Sequence, residues 1–205
     1  LSNIAIMYFE YRLRNLPVPD VLMRNVAELW ELVKLCTFPD GRICRIGGDT
    51  RIRYSYCQDY ALPVWLMMYD LYKDTDAAVF EKGWFDTLKK EVDYNKDGSF
   101  VSSRCSDLEK LTPLYYTRIE SDRAATLAMA AYWRRVLKFP EYKTPKKTEV
   151  NSSKSWSDNY HSSYIVRGEN RISSWCWGAA EPPQGLCLPT QKSDMAEFYK
   201  KLAAA

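Results

Sequence analysis

Apolar residues recur every three or four positions through the first two thirds of the chain, the period of an amphipathic helix. Ile4, Met7, Tyr8, Tyr11 and Leu16 predict a helix over residues 1–16. Pro17-Val18-Pro19 ends it, because proline lacks a donor and clashes with the preceding turn. Asp20 is a suitable N-cap for a second helix over 21–35, whose apolar stripe is Leu22, Val26, Leu29, Trp30, Val33 and Leu35. The two are expected to form an antiparallel hairpin. After the turn Phe38-Pro39-Asp40-Gly41-Arg42, a helical pattern capped by Asp49 or Thr50 runs through Tyr54, Cys57, Tyr60 and Leu62 to Tyr72. Pro63 within it marks a kink or a fresh start. Asp74 or Thr75 caps a helix over 76–94, with Val79, Phe80, Trp84, Leu88 and Val92 inward. A second turn, 95–100, and a loop to about Thr112 lead into an Ala- and Leu-rich helix from Leu114 or Tyr116 to Leu137.

The period then changes. Residues 138–163 are rich in Lys, Ser and Thr and read as an exposed connector. Segments 163–167 and 171–177 read as strands joined by a Gly168-Glu169-Asn170 turn. A loop begins at Pro182-Pro183, and Ser193 caps a short helix over 193–202. The expected organisation is a helical region over 1–139, a connector over 140–162, and a β-hairpin with a C-terminal extension over 163–200. Residues 201–205 resemble an expression-tag remnant.

Composition narrows the function classes. With 205 residues, 46% hydrophobic and 27% charged, the chain suits one soluble domain with a sizeable core. The net charge is +3 with no run of five like charges, so no nucleic-acid partner is expected. No apolar run reaches the roughly 18 residues of a membrane span, so no membrane partner is expected either. The six cysteines form no CxxC pair and there is one histidine, which argues against a metal site, and no cofactor is expected. Cys36 and Cys57 lie in helical patterns and are expected as buried thiols, although an even cysteine count permits disulfides. The chain opens directly in a helical pattern, as a piece of something longer would. Fifteen tyrosines and seven tryptophans offer flat apolar faces with polar edges, which suit sugar rings as well as helix contacts.

A turn, a loop and a polar-headed helix occur twice. Asp40-Gly41-Arg42 precedes Tyr54-Ser55-Tyr56-Cys57-Gln58-Asp59, and Asp97-Gly98-Ser99 precedes Tyr115-Tyr116-Thr117-Arg118-Ile119-Glu120-Ser121-Asp122. Repeated helix hairpins imply stacked or circular α architecture. The fold class expected is therefore mainly α, with helix hairpins forming part of an (α/α) toroid and a short β-hairpin near the C-terminus. Ring closure would gather the loops, and with them the acids, arginines and tyrosines, on one face.

The Asp97-Gly98-Ser99-Phe100 turn, followed by the Pro113-Leu114-Tyr115-Tyr116 helix start, resembles the Asp-Gly-Ser plus Pro-x-Tyr pattern of heparinase II/III-like proteins. That resemblance implies an incomplete α/α toroid followed by a β-sandwich, and a polysaccharide lyase activity without a cofactor. It places Tyr115 or Tyr116 at the family's tyrosine. The lyases' Asn-His pair has no counterpart here, because residues 1–96 contain no histidine.

Three chemistries compete, and β-elimination on an acidic polysaccharide by a fragment of a carbohydrate-active enzyme is the expected one, with the other two as alternatives. Uronate β-elimination needs a group to neutralise a carboxylate and groups to move two protons. Tyr115, Tyr116 and His161 are its catalytic candidates, with Arg118 and Arg123 on the substrate. Glycoside hydrolysis needs two carboxyl groups roughly 5–10 Å apart. Asp49, Asp59, Glu120 and Asp122 are candidates, and because Glu120 and Asp122 cannot point the same way on a helix, Asp59 with Asp122 is the natural pair. Alternatively, Arg51, Arg53, Arg118 and Arg123 hold these acids as ion pairs. The third chemistry is binding alone, with Trp175 and Trp177 on one strand face stacking on sugar and Cys176 on the other. Each reading takes a polysaccharide or oligosaccharide as partner.

Overall fold

The computed structural model describes residues 1–44, 46–47, 59–101, 106–141, 154–178 and 183–193, without the side chains of Leu108, Tyr115 and Gln184. Its helices are α1 (Ser2–Leu13), α2 (Asp20–Met23), α3 (Val26–Cys36), α4 (Ala61–Tyr72), α5 (Thr75–Asn95), α6 (Ser106–Leu111) and α7 (Pro113–Val136). The strands are β1 (Lys154–Asp158), β2 (Ser163–Arg167), β3 (Arg171–Cys176) and β4 (Gln184–Pro189).

α4 is the centre of the helical layer. Every residue from Ala61 to Met68 is buried, and α1, α5 and α7 all pack against this helix. Pro63 lies in its first turn, where a missing N–H costs nothing, so the proline marks a start rather than a kink. α5 begins where Asp74 accepts from the backbone N–H groups of Asp76 (2.9 Å) and Ala77 (3.4 Å), and it buries Phe80, Trp84 and Leu88 as expected. α7 buries Ile119, Arg123, Thr126, Ala130 and Trp133, one narrow stripe of a long helix. Trp133 stacks on Phe9 of α1 with ring centroids 4.4 Å apart.

Several expectations need correction. The inward stripe of α1 is Ala5, Tyr8 and Phe9, whereas Met7 and Leu16 are about half exposed. The helix expected over 21–35 is broken at Asn25, which adopts a left-handed conformation (φ 60°) that asparagine tolerates better than most residues. The loop before Thr112 contains α6. The connector read over 140–162 contains β1, and the expected hairpin is the middle of a four-stranded antiparallel sheet in the order β1-β2-β3-β4. The β2–β3 hairpin itself forms, with the Gly168 N–H donating to the Arg171 carbonyl. The chain is thus mainly helical with a small sheet near its C-terminus; a ring of hairpins is not shown by the described elements. Asp49, Arg51, Arg53, Cys57, the helix expected over 193–202 and the tag-like end lie outside the described residues, Ser193 apart.

The sheet is two-faced. Ile165, Ile172, Leu186 and Leu188 point inward and form a second core with Leu35, Cys36, Phe38 and Cys44. Arg167 of β2 is fully buried and donates from Nη1 to the carbonyls of Lys34 (3.3 Å), Leu35 (3.1 Å) and Thr37 (2.6 Å). Those carbonyls close the C-terminus of α3, where a cation satisfies orphan acceptors and complements the helix dipole.

Candidate acid–base site

Asp59 sits two residues ahead of α4, at the positive end of the central helix, and is 1% exposed. Arg123 reaches it from the buried stripe of α7. Its Nε donates to Asp59 Oδ1 at 2.9 Å and its Nη1 to Glu91 Oε2 of α5 at 3.0 Å. One guanidinium therefore ties three helices together.

Both Asp-Gly turns bear on this cluster. In the first, Gly41 (φ +80°) lies so close to α5 that a Cβ there would fall 2.5 Å from the Phe80 carbonyl oxygen. Gly83 of α5 returns the fit, since its Cβ would lie 2.3 Å from the Pro39 oxygen. This close seating brings Arg42 Nη2 to within 3.8 Å of Glu91 Oε1. In the second turn, Phe100 lies under Arg123, with the guanidinium carbon 5.6 Å from the ring centroid. The backbone N–H groups of Phe100 and Val101 donate to the Glu120 carboxylate at 2.9 and 2.8 Å.

Burial pushes the Asp59 carboxyl up to about 6; Arg123 opposes the shift, and Glu91 and Asp122 reinforce it. Asp122 therefore acts on the Asp59 carboxyl through its charge, with no direct contact between the two acids. Asp59 Oδ2 and Asp122 Oδ2 are both buried without a hydrogen-bond partner. The nearest cation recorded for Asp122 is Arg118, whose Nε lies 3.6 Å from Oδ2.

The other candidates divide. Glu120 holds the second turn and takes a long 3.4 Å contact from the Tyr116 hydroxyl, a structural latch rather than half of the acid pair. Tyr116 lies on the first turns of α7 and is only partly buried; burial first, and then Glu120, raises its pKa. The Tyr115 side chain lies outside the described residues. His161 is elsewhere, in the β1–β2 turn, where Nδ1 lies 2.6 Å from Asp158 Oδ2 and the Asp158 carboxylate also accepts from two backbone N–H groups. Its recorded partners all belong to its own turn, and none is a tyrosine of α7. Trp175 and Trp177 stand on the outer sheet face, each about half exposed, with Cys176 buried on the other side.

Glu91 and Arg42 escaped the sequence reading. Glu91 follows Lys89 and Lys90, a pattern of solvated charge, and its inward face shows only from its seven-residue spacing to Trp84. Arg42 was absorbed into a turn motif. An open depression of about 320 Å³ lined by Ala27, Glu28, Trp30, Glu31, Tyr72 and Asp74 lies away from these residues. Two of its three acids are occupied: Asp74 accepts from Trp30 Nε1 (2.7 Å) and Lys34 (3.2 Å), and Glu31 pairs with Lys34 and Lys154. Among the described residues no group of His, Cys, Asp or Glu side chains could hold a metal ion, and no helix is long and apolar enough to cross a membrane. No family model matches the chain, and neither a curated protein nor a solved structure matches it.

Proposed function

We propose that this chain is part of a carbohydrate-active enzyme that hydrolyses a glycosidic bond with Asp59 and Asp122. In this reading the helix hairpins belong to an (α/α) toroid whose loops gather around a polysaccharide or oligosaccharide. The observation that carries it is the buried Asp59 carboxyl held by Arg123, whose Oδ2 has no hydrogen-bond partner, with the Asp122 Oδ2 likewise buried without a hydrogen bond and 3.6 Å from Arg118. A carboxyl whose pKa stands near 6 is protonated often enough near neutrality to donate to a leaving oxygen. Asp122 then acts as the base or nucleophile.

The charge balance favours hydrolysis of a neutral glycan over attack on an acidic one. Among the described residues, Asp40, Asp59, Glu91, Glu120 and Asp122 outnumber Arg42, Arg118 and Arg123 around the cluster. A uronate carboxylate would enter an acid-rich site. The second reading, β-elimination on an acidic polysaccharide, is favoured by Tyr116, whose partly exposed hydroxyl lies at the head of α7 where the resemblance expects a tyrosine.

Incubation with neutral and uronate-containing polysaccharides separates them. Hydrolysis releases reducing ends without ultraviolet-absorbing product and is lost in Asp59→Asn and in Asp122→Asn. β-Elimination yields an unsaturated, absorbing product and is lost in Tyr116→Phe. Turnover undiminished in both Asp variants would remove Asp59 and Asp122 from the chemistry.

A further inference from the structure

Cys36 and Cys44 face each other across a hairpin that joins the end of α3 to the second core. The bridge pairs Thr37 with Ile43, and on the next rung the Cys44 N–H donates to the Cys36 carbonyl at 2.9 Å. That single hydrogen bond ties the two backbones together, and a disulfide there needs Cα atoms roughly 4.4–6.8 Å apart. The two thiols are free and are 7% and 2% exposed as residues. Arg167 stands beside both. Its Nη1 is used on the α3 carbonyls, but Nε and Nη2 are buried without a partner. We infer that Cys36 and Cys44 are a reversible redox pair, which a small peroxide oxidises to a disulfide with Arg167 stabilising the attacking thiolate.

The sulfurs are not equivalent. The neighbouring Cys36 thiol, with the Arg167 charge, holds the Cys44 thiol below its ordinary value, while the neighbouring Cys44 and burial push Cys36 well above. Cys44 is therefore the attacking sulfur. Its thiolate attacks one oxygen of hydrogen peroxide, the O–O bond breaks, and the departing hydroxide takes up a proton to leave as water. Cys44 is then a sulfenic acid. The Cys36 sulfur attacks the Cys44 sulfur, and its proton leaves with the sulfenic oxygen as a second water. Two thiols are oxidised by two electrons and one peroxide is reduced. Burial restricts the oxidant to small molecules and makes local opening part of the rate. The new bond closes the hairpin whose tip carries Arg42, the residue that approaches Glu91 at the acid cluster.

The test is peptide mapping of the whole chain after hydrogen peroxide treatment and alkylation. Trypsin cleaves after Lys34, Arg42 and Arg45, so the bond appears as peptide 35–42 linked to peptide 43–45, two hydrogens lighter than the sum of the reduced peptides. Dithiothreitol separates them. In Cys36→Ser a sulfenic-acid trap labels Cys44, and in Cys44→Ser Cys36 stays unlabelled. Arg167→Met, checked as folded by circular dichroism, forms the link at least tenfold more slowly. Both peptides alkylated and unlinked after oxidation overturns the proposal, as does a link from Cys44 to a different cysteine. Unchanged kinetics in folded Arg167→Met overturns the role given to the arginine.

Discussion

Asp59→Asn separates a functional acid from a structural ion pair. The Asp59 carboxyl has its pKa raised from 3.8 to about 6, so burial outweighs the attraction of Arg123. The native state then holds a proton that the unfolded chain has released. Between pH 3.8 and about 6 the folded form binds more protons, and stability falls as pH rises through that window. Holding that proton from pH 3.8 to about 6 is worth about 3 kcal/mol, fully present below pH 3.8 and lost above about 6. Asparagine keeps an acceptor for Arg123 Nε but has no proton to lose. The stability difference between Asp59→Asn and the parent chain should therefore move in the variant's favour by about 3 kcal/mol from about pH 3 to about pH 8. For a chain of this size that is roughly 6–12 °C in Tm. Any pH-independent cost of the substitution cancels in this comparison. The assay is thermal or urea unfolding of both proteins across that range. An Asp59→Asn chain that loses ground as pH rises would mean that Arg123 overcompensates burial, and the carboxyl would be an ordinary buried ion pair. Gain in stability together with loss of turnover is what a strained catalytic acid predicts.

Four further substitutions test the supports of the site and the two faces of the sheet. Gly83→Ala places a methyl 2.3 Å from the Pro39 oxygen and 2.7 Å from the Asp40 Cα, so it should cost about 1–3 kcal/mol by urea unfolding and lift the first turn off α5. Glu120→Ala removes the acceptor of the Phe100 and Val101 N–H groups; amide exchange at those two positions should quicken, with a loss of about 1.5–3 kcal/mol locally. Ile172→Ala, on the buried sheet face, should cost about 2–5 kcal/mol in denaturant unfolding. Trp175→Ala, at 48% exposure on the other face, should cost under about 1 kcal/mol.

How far these features could be read in advance depends on how local their causes are. α5 and α7 were legible because their signals lie within themselves: the Asp74 cap, the run Phe80, Trp84, Leu88, and Pro113 at a first helical position. The break at Asn25 was not, since Leu22, Val26 and Leu29 keep helical spacing straight across it. β1 carries one large apolar side chain, Trp156, in a Lys-Ser-Trp-Ser-Asp segment, and becomes a strand by pairing Trp156 with Ile165. β4 holds a readable alternation, Leu186 and Leu188, which the adjacent prolines disguised as loop. In the site, Asp59, Asp122 and Arg123 were visible as polar residues at the heads of apolar helices. An arginine holding these acids was among the readings and Arg123 does hold Asp59; that it is this arginine, and that it also takes Glu91, was not legible, because the contact joins elements 64 residues apart.

The hairpin from Cys36 to Cys44 is the segment through which the two cores act on one another. Phe38 is fully buried in the sheet-side core, while Gly41 three residues later is seated on Trp84 and Phe80 of the helical core. Its two ends are held from opposite sides: Arg167 of the sheet grips the carbonyls of Leu35 and Thr37, and Arg42 approaches Glu91, which in turn holds Arg123. A displacement of the sheet therefore has a route to Asp59 through this hairpin, alongside the direct packing of β1 and β2 on α3. Cross-linking Cys36 to Cys44 should shorten that path, so the oxidised chain should exchange the Cys44 amide more slowly than the reduced chain. Equal exchange in both forms would mean that the hairpin is already rigid and that the thiols add nothing to the coupling.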